Sequence, residues 1–313
     1  MLGAKQVSKK DIKKTIFHIF SRIKDQPIEL VLFLCASFSI VILFLMLIFV
    51  ASEGALALST FGIDFIIGQV WDTNAGLYGA FPLIFSSVMV STGALAIAIP
   101  VGLGTSIFIT EVVPFSIRDL IKSIIELLAS IPSVIYGFIG IIFIIPAIAS
   151  VFGISSGYTA LAASLLLAIM AVPTIVGVSG ETLSAVPKDY KEASLALGAT
   201  KLQTLRHVIL PIAKSGILAS VMLGFGRAVG ETVAVLMVVG NRAQIPVPPW
   251  NFLNPVYPIT SVIAMQMGEA SLYSEEYSAL FGLGLLLFIF TFIVNTIADV
   301  VVRREGKMGG RRK

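Results

Sequence analysis

The chain has 313 residues, 57% of them apolar and 13% charged, with a mean hydropathy of +0.96 and a net charge of +4. A soluble domain carries about 45–50% apolar and about 25% charged residues. So little charge cannot solvate a folded body of this size, which excludes a soluble enzyme, a disordered tail and a disulfide scaffold and makes the bilayer the expected solvent.

In chain order, residues 1–27 form a basic N-terminal segment. Ile12, Ile16, Ile19 and Ile23 recur there at helical spacing among lysines, as in an amphipathic helix lying on a membrane surface. From Glu29 to Glu53 there are 23 uncharged residues, too long a run for the 7–15-residue apolar region of a signal peptide, so an uncleaved first span over about 28–50 is expected. Uncharged runs of 38 residues before Glu111 and 54 before Glu181 follow. The second is too long for one helix and is split by the turn-rich 150–158. With about 20 residues needed per crossing, the expected spans are 28–50, 82–109, 127–149, 158–179, 215–240 and 278–300, ahead of a basic tail at 303–313. The fold class is an all-α polytopic membrane protein of six transmembrane helices.

Charge orients the spans. Twenty of the 22 Lys and Arg fall in the N-terminal segment, the second and fourth connections and the C-terminal tail; the exceptions are Arg227 and Arg242. By the positive-inside bias both termini and the two basic loops are expected on the cytoplasmic side. The basic pI is thereby accounted for as a topological signal, and a nucleic-acid partner is not expected.

The chemistry of soluble enzymes is missing. There is no GxxxxGK[ST], so the chain is not expected to hydrolyse ATP. Gly177-Val178-Ser179-Gly180 resembles the GxSG of intramembrane serine proteases, but a nucleophilic serine needs a base. The two histidines, His18 and His207, fall in charged sequence outside the spans. Small residues at a helix end are the simpler reading. One cysteine, Cys35, excludes intramolecular disulfides and multi-cysteine metal sites. No metal and no cofactor are expected.

The cytoplasmic loop 188–214 reads as a short helix, a stop at Gly198 and a second short helix ending at Pro211. Its LALGA and HVILP stretches would leave apolar side chains in water unless a partner docks on them. Glu192-Ala193-Ser194, three residues, Gly198, nine residues and Val208-Ile209-Leu210-Pro211 resemble the EAA loop of ABC importer permeases. Ser194 and Val208 are mild departures from that pattern. IPSVIYGFIG at 131–140, VPTIVGVSGETLSAVP, GRAVGETVAVLMVVGN at 226–241 and PITSVIAMQ are similar to the phosphate permeases of the PstC type.

The resemblance implies a type I ABC importer permease moving inorganic phosphate. It implies a second permease subunit of the PstA type, two ATPase subunits on the cytoplasmic side and an extracytoplasmic phosphate-binding protein. Glu192, Ala193, Ser194, Gly198, Leu210 and Pro211 would form the ATPase-coupling element. Sulfate or molybdate permeases carry a comparable Arg-Ala-x-Gly-Glu run and are the alternative. A self-sufficient secondary transporter would need mirrored repeats with paired broken helices, which residues 28–150 and 158–302 do not display.

Arg227 and Glu231 are the ionisable residues inside an expected span, where each costs about 2.5–3.5 kcal/mol. With span five starting near Ser215, Arg227 would lie about 18 Å in, and a spacing of four would put both charges on one helix face. They then read either as a mutual salt bridge or as a substrate path. In the second case Arg227 would bind an oxyanion by bidentate donation, Glu231 would pair with it when the path is empty, and Thr232 would add a hydroxyl. Outside, Trp71, Tyr78, Trp250 and Tyr257 suit an interfacial loop or a binding-protein contact.

Overall fold

The computed structural model describes residues 27–309. The expected amphipathic helix at 12–23 and His18 lie outside them. The chain divides into two compact units, residues 1–52 and 53–313. In the first, residues 27–52 are helical throughout, and most of their large apolar side chains are exposed, as an all-round apolar helix facing lipid requires. They belong to α1 (Pro27–Phe61).

The second unit continues with α2 (Asp64–Ile67) and a two-stranded hairpin, β1 (Trp71–Asp72) and β2 (Leu77–Tyr78), paired Trp71 to Tyr78. Then come α3 (Phe81–Ile107), α4 (Phe115–Ser130), α5 (Ser133–Ile139), α6 (Ile145–Phe152) and α7 (Ala160–Ser184). After α8 (Lys188–Ala196) and α9 (Lys201–Thr204) follow α10 (Leu210–Gly230), α11 (Val233–Leu236), α12 (Ile259–Gln266) and α13 (Glu275–Gly309). Among the described residues six stretches are long and apolar enough to cross a membrane: Leu30–Phe61, Phe81–Val112, Ser133–Phe152, Ala160–Ser184, Lys201–Gly230 and Glu275–Ile297. The all-α architecture with six spans agrees with the sequence.

Two spans begin elsewhere than expected, and proline explains both. Residues 127–130 belong to α4, a separate amphipathic helix. It stops because Pro132 drives Ile131 to an extended conformation (φ −64°, ψ 129°). Pro211, expected to end a short helix, sits instead in the first turn of α10. Ahead of it Leu205–Ile209 forms a π turn, so α9, this turn and α10 run on as one span from Lys201. Proline has no N–H to offer the carbonyl four residues back, and its ring crowds that carbonyl; a widened turn relieves both. The same device precedes Pro146 (π turn Gly140–Ile144), and a third such turn, Phe108–Val112, ends span two before Pro114.

α7 is the central helix, wedged against α3 and α10. Ile175, fully buried, fills the space left by Gly102 on α3 and Gly224 on α10; a Cβ at either glycine would come within 2.8 Å of its side chain. A second core forms where α1 ends, from Ala57, Phe65, Trp71, Tyr78, Tyr257 and Leu280. Trp71 and Tyr78 are only 6% and 9% exposed, and Trp71 Nε1 donates to Gln266 Oε1 at 3.0 Å. These aromatics, expected at an interface, pin the hairpin to α12 and α13. Trp250 remains exposed.

Candidate functional site

Arg227 and Glu231 do not share a helix face. α10 ends at Gly230, and Glu231 is extended (φ −73°, ψ 129°), which turns its side chain out of the helical register. Among the described residues no ion pair joins the two. Instead Arg227 occupies the last turn of α10, where a cation complements the negative end of the helix. The Glu231 carboxylate accepts from the N–H of Ala234 at 3.4 Å, at the start of α11. Each charge is thus set against a helix end of opposite sign. The sequence did not show this break, because no proline marks it; Gly230 with two following polar residues is its only trace.

The break is held from outside. Thr260 Oγ1 on α12 donates to the Glu231 carbonyl at 3.2 Å, and Thr232 Oγ1 turns back to the Gly230 carbonyl at 3.4 Å. Arg227 is half-buried, and its Nε is enclosed with no hydrogen-bond partner. Tyr136 of α5 is buried within electrostatic reach of the guanidinium, and its hydroxyl donates to the Leu128 carbonyl at 2.8 Å. The Nε of this guanidinium is thus a donor left free beside an unwound segment. Tyr136 and Thr260 were not singled out from sequence, since both lie in ordinary apolar runs.

The second constellation is the loop 188–214. α8 carries Glu192, Ala193 and Ser194; Gly198 then takes φ +85°, a conformation that a side chain would strain. α9 opens with a capping box, Thr200 with Gln203. Ser194 Oγ and Thr204 Oγ1 lie 3.0 Å apart and clasp the two helices. Leu210 and Pro211 lie inside the span that runs on from Lys201, just after its π turn, not at a helix end. Leu197 is 89% exposed and Leu202 72%, with Leu195 beside them, so the loop does present apolar side chains to solvent.

Lys191 forms a salt bridge with Glu111, at the end of span two, across 80 positions of sequence. In turn Arg118 Nη2 donates to the Thr110 carbonyl at 2.7 Å and to the Val113 carbonyl at 3.2 Å, groups that Pro114 leaves without a helical partner. The loop is therefore anchored to the end of span two, a turn that the start of α4 also grips. Ser179 of the GxSG run donates to the carbonyl of Ile175 within its own helix and is fully buried. Among the described residues no cluster of three or more His, Cys, Asp or Glu could hold a metal.

The family model "Binding-protein-dependent transport system inner membrane component" matches residues 98–307. The chain is 36% identical to the phosphate transport system permease protein PstC of Pasteurella multocida, over 81% of this chain and 84% of that protein. It is 32% identical to the probable PstC of Methanocaldococcus jannaschii over 86% and 91%, and 36% identical to the probable ABC transporter permease YqgH of Bacillus subtilis over 74% of each. Among solved structures, a bacterial alginate ABC transporter superposes with a TM-score of 0.61 at 15% identity, covering 90% of this chain and 97% of that one. The MetNI methionine ABC transporter gives 0.53 at 21%, covering 72% and 94%. These two establish the fold. With six apolar spans and these relatives, the chain is a multi-pass inner-membrane protein that belongs to the binding-protein-dependent transport permeases, as a PstC-type ABC importer subunit.

Proposed function

We propose that this permease carries inorganic phosphate into the cell, driven by ATP hydrolysis in separate subunits that dock on the loop 188–214. Arg227 binds the oxyanion in the path, Thr232 lends a hydroxyl, and the break at Glu231 lets α10 and α11 move independently. The observation that carries this reading is the enclosed, unpartnered Nε of Arg227 at the end of a membrane helix. Such a charge costs about 2.5–3.5 kcal/mol to insert, and an arriving anion offsets that cost. The PstC names of the relatives support phosphate as the anion.

Both termini and the coupling loop lie on the cytoplasmic side in this reading. Glu192, Ala193, Ser194 and Gly198, with the exposed Leu197, sit in a groove of the ATPase. Leu210 and Pro211 pass its rotation into span five, a bistable domain motion of the kind that transport requires. A PstA-type permease completes the path, two ATPase subunits bind below, and a phosphate-binding protein delivers cargo from outside.

The test is co-purification with the ATPase and a second permease, then substrate-stimulated ATP hydrolysis with phosphate, sulfate and molybdate. Stimulation by phosphate alone is expected. Stimulation by sulfate or molybdate instead would reassign the substrate. Ion-gradient-driven uptake by this chain alone would overturn the importer mechanism.

A further inference from the structure

Between α3, α4 and α7 lies a cavity of about 120 Å³, separate from Arg227. Two of its lining residues carry hydroxyls without partners: Ser106 Oγ, on a fully buried residue, and Thr110 Oγ1, on a residue 7% exposed. A buried hydroxyl left unpaired costs about 1–3 kcal/mol, so both call for a bound group. Lys122, Glu126 and Glu181 complete the polar lining, and Ile109, Ile125 and Val176 make apolar walls. The Gly177 and Gly180 of the GxSG run lie on the same wall. A Cβ added at Gly177 meets nothing within 4 Å, so that glycine keeps the space open rather than serving a close helix contact.

The charges select the ligand. A bare oxyanion would meet two carboxylates for one ammonium, and a bare metal cation would meet Lys122. A group that carries both signs satisfies all three. Beside the cavity, α4 exposes Ile117, Leu120, Ile124 and Leu127 on one side and has no buried residue, the character of a helix lying along a lipid interface. Membrane lipid is thus at hand, and headgroup pockets between membrane helices are a known means of lipid recognition.

We propose that this cavity binds a zwitterionic group with a primary ammonium next to a phosphate, as in an aminoethyl phospholipid headgroup or its free form. The ammonium has three donors and no acceptor. It donates to a rim carboxylate, and Ser106 and Thr110 rotate their enclosed hydroxyls towards it on binding, while Lys122 takes the phosphate. In volume the cavity compares with the ~150 Å³ void that admits benzene, enough for the aminoethyl end with the phosphate at the rim. Because Thr110 shares its π turn with Glu111, occupancy also stiffens the anchor of α8.

The full chain is purified in nanodiscs of phosphatidylcholine and phosphatidylglycerol, with and without phosphatidylethanolamine, and retained lipid is counted by native mass spectrometry. Phosphatidylethanolamine is expected to be retained about tenfold over phosphatidylcholine, whose quaternary ammonium cannot donate, and to raise Tm. Gly177→Leu, which fills the space, and Glu181→Gln should each lower retention about fivefold. Should Gly177→Leu fail to fold, Glu181→Gln and Lys122→Gln decide the matter alone, since they alter rim side chains. A Tm rise with free phosphoethanolamine but no lipid selectivity would assign the soluble source. Equal retention of both lipids with no effect of phosphoethanolamine, or retention unchanged in the variants, would mean a hydrated cavity only and overturn the proposal. Lipid retention is read without transport, so this outcome is independent of the phosphate assignment.

Discussion

Glu231 follows Arg227 by four residues, yet the two serve different helices: Arg227 lies in the last turn of α10, and Glu231, in the extended break, accepts from the Ala234 N–H at the start of α11. Their charges answer helix ends rather than each other. Glu231→Gln keeps an acceptor for the Ala234 N–H, whereas Glu231→Ala removes it. The alanine variant is therefore expected to lose about 1 kcal/mol of stability and the glutamine variant much less, measured by thermal unfolding in detergent.

Arg227→Gln removes the charge and leaves a shorter, neutral amide. Phosphate uptake by reconstituted transporter is expected to fall about 10–100-fold, the worth of one or two charge-assisted hydrogen bonds. Basal ATP hydrolysis should persist, because the loop 188–214 is untouched. Undiminished uptake of radiolabelled phosphate would remove Arg227 from the path.

The Lys191–Glu111 pair is partly exposed, its side chains 38% and 17% accessible, so it contributes at most about 1 kcal/mol to stability. Its expected weight is on coupling. Lys191→Glu and Glu111→Lys should each lower phosphate-stimulated ATP hydrolysis while leaving Tm nearly unchanged, and the double swap should restore stimulation. A swap that restores nothing would make the pair incidental.

Leu197 and Gly198 test the docking surface separately from the fold. Leu197→Ser alters a side chain that is 89% exposed, so stability should move by less than about 0.5 kcal/mol while ATPase co-purification drops. Gly198→Ala forces a side chain into φ +85° and is expected to cost about 1–2 kcal/mol, local to the turn. Unchanged ATPase recovery with Leu197→Ser would place docking elsewhere.

Burial raises the phenol pKa of both Tyr78 and Tyr257 above 10.0, and Glu276 and Glu275 raise that of Tyr78 further. The neutral phenol is the form that the fold favours. Their contribution is whole below the unfolded value near 10 and is lost as pH rises through the raised folded values. Tm is therefore expected to stay level with respect to these groups from pH 7 to about 9 and to fall above about 10. Tyr78→Phe should soften that fall; an identical profile would show that Tyr78 ionises freely.

What could be read from the sequence was set by local chemistry. Apolar runs long enough to cross hydrocarbon leave no soluble alternative, so six spans and their order followed from composition alone. The exposed Leu197 and the turn at Gly198 were legible for the same reason: an apolar residue in a charged loop, followed by a glycine, speaks through its neighbours. The proline positions misled because proline removes one hydrogen bond without deciding whether the helix stops. At Pro132 it does; at Pro211 a π turn carries the helix through.

By itself, then, the sequence determined the solvent of this protein, the number of its crossings and the place of a charged loop with exposed apolar side chains. Tertiary structure decided that Trp71 and Tyr78 are core, that Lys191 meets Glu111 across 80 positions, and that Ser106 and Thr110 line a cavity with Lys122, Glu126 and Glu181. It also decided that span five breaks before Glu231, where Thr260 of another helix holds the freed carbonyl. Hydropathy and periodicity act between near neighbours in the chain, whereas these contacts depend on which helices pack together, and only the folded bundle settles that.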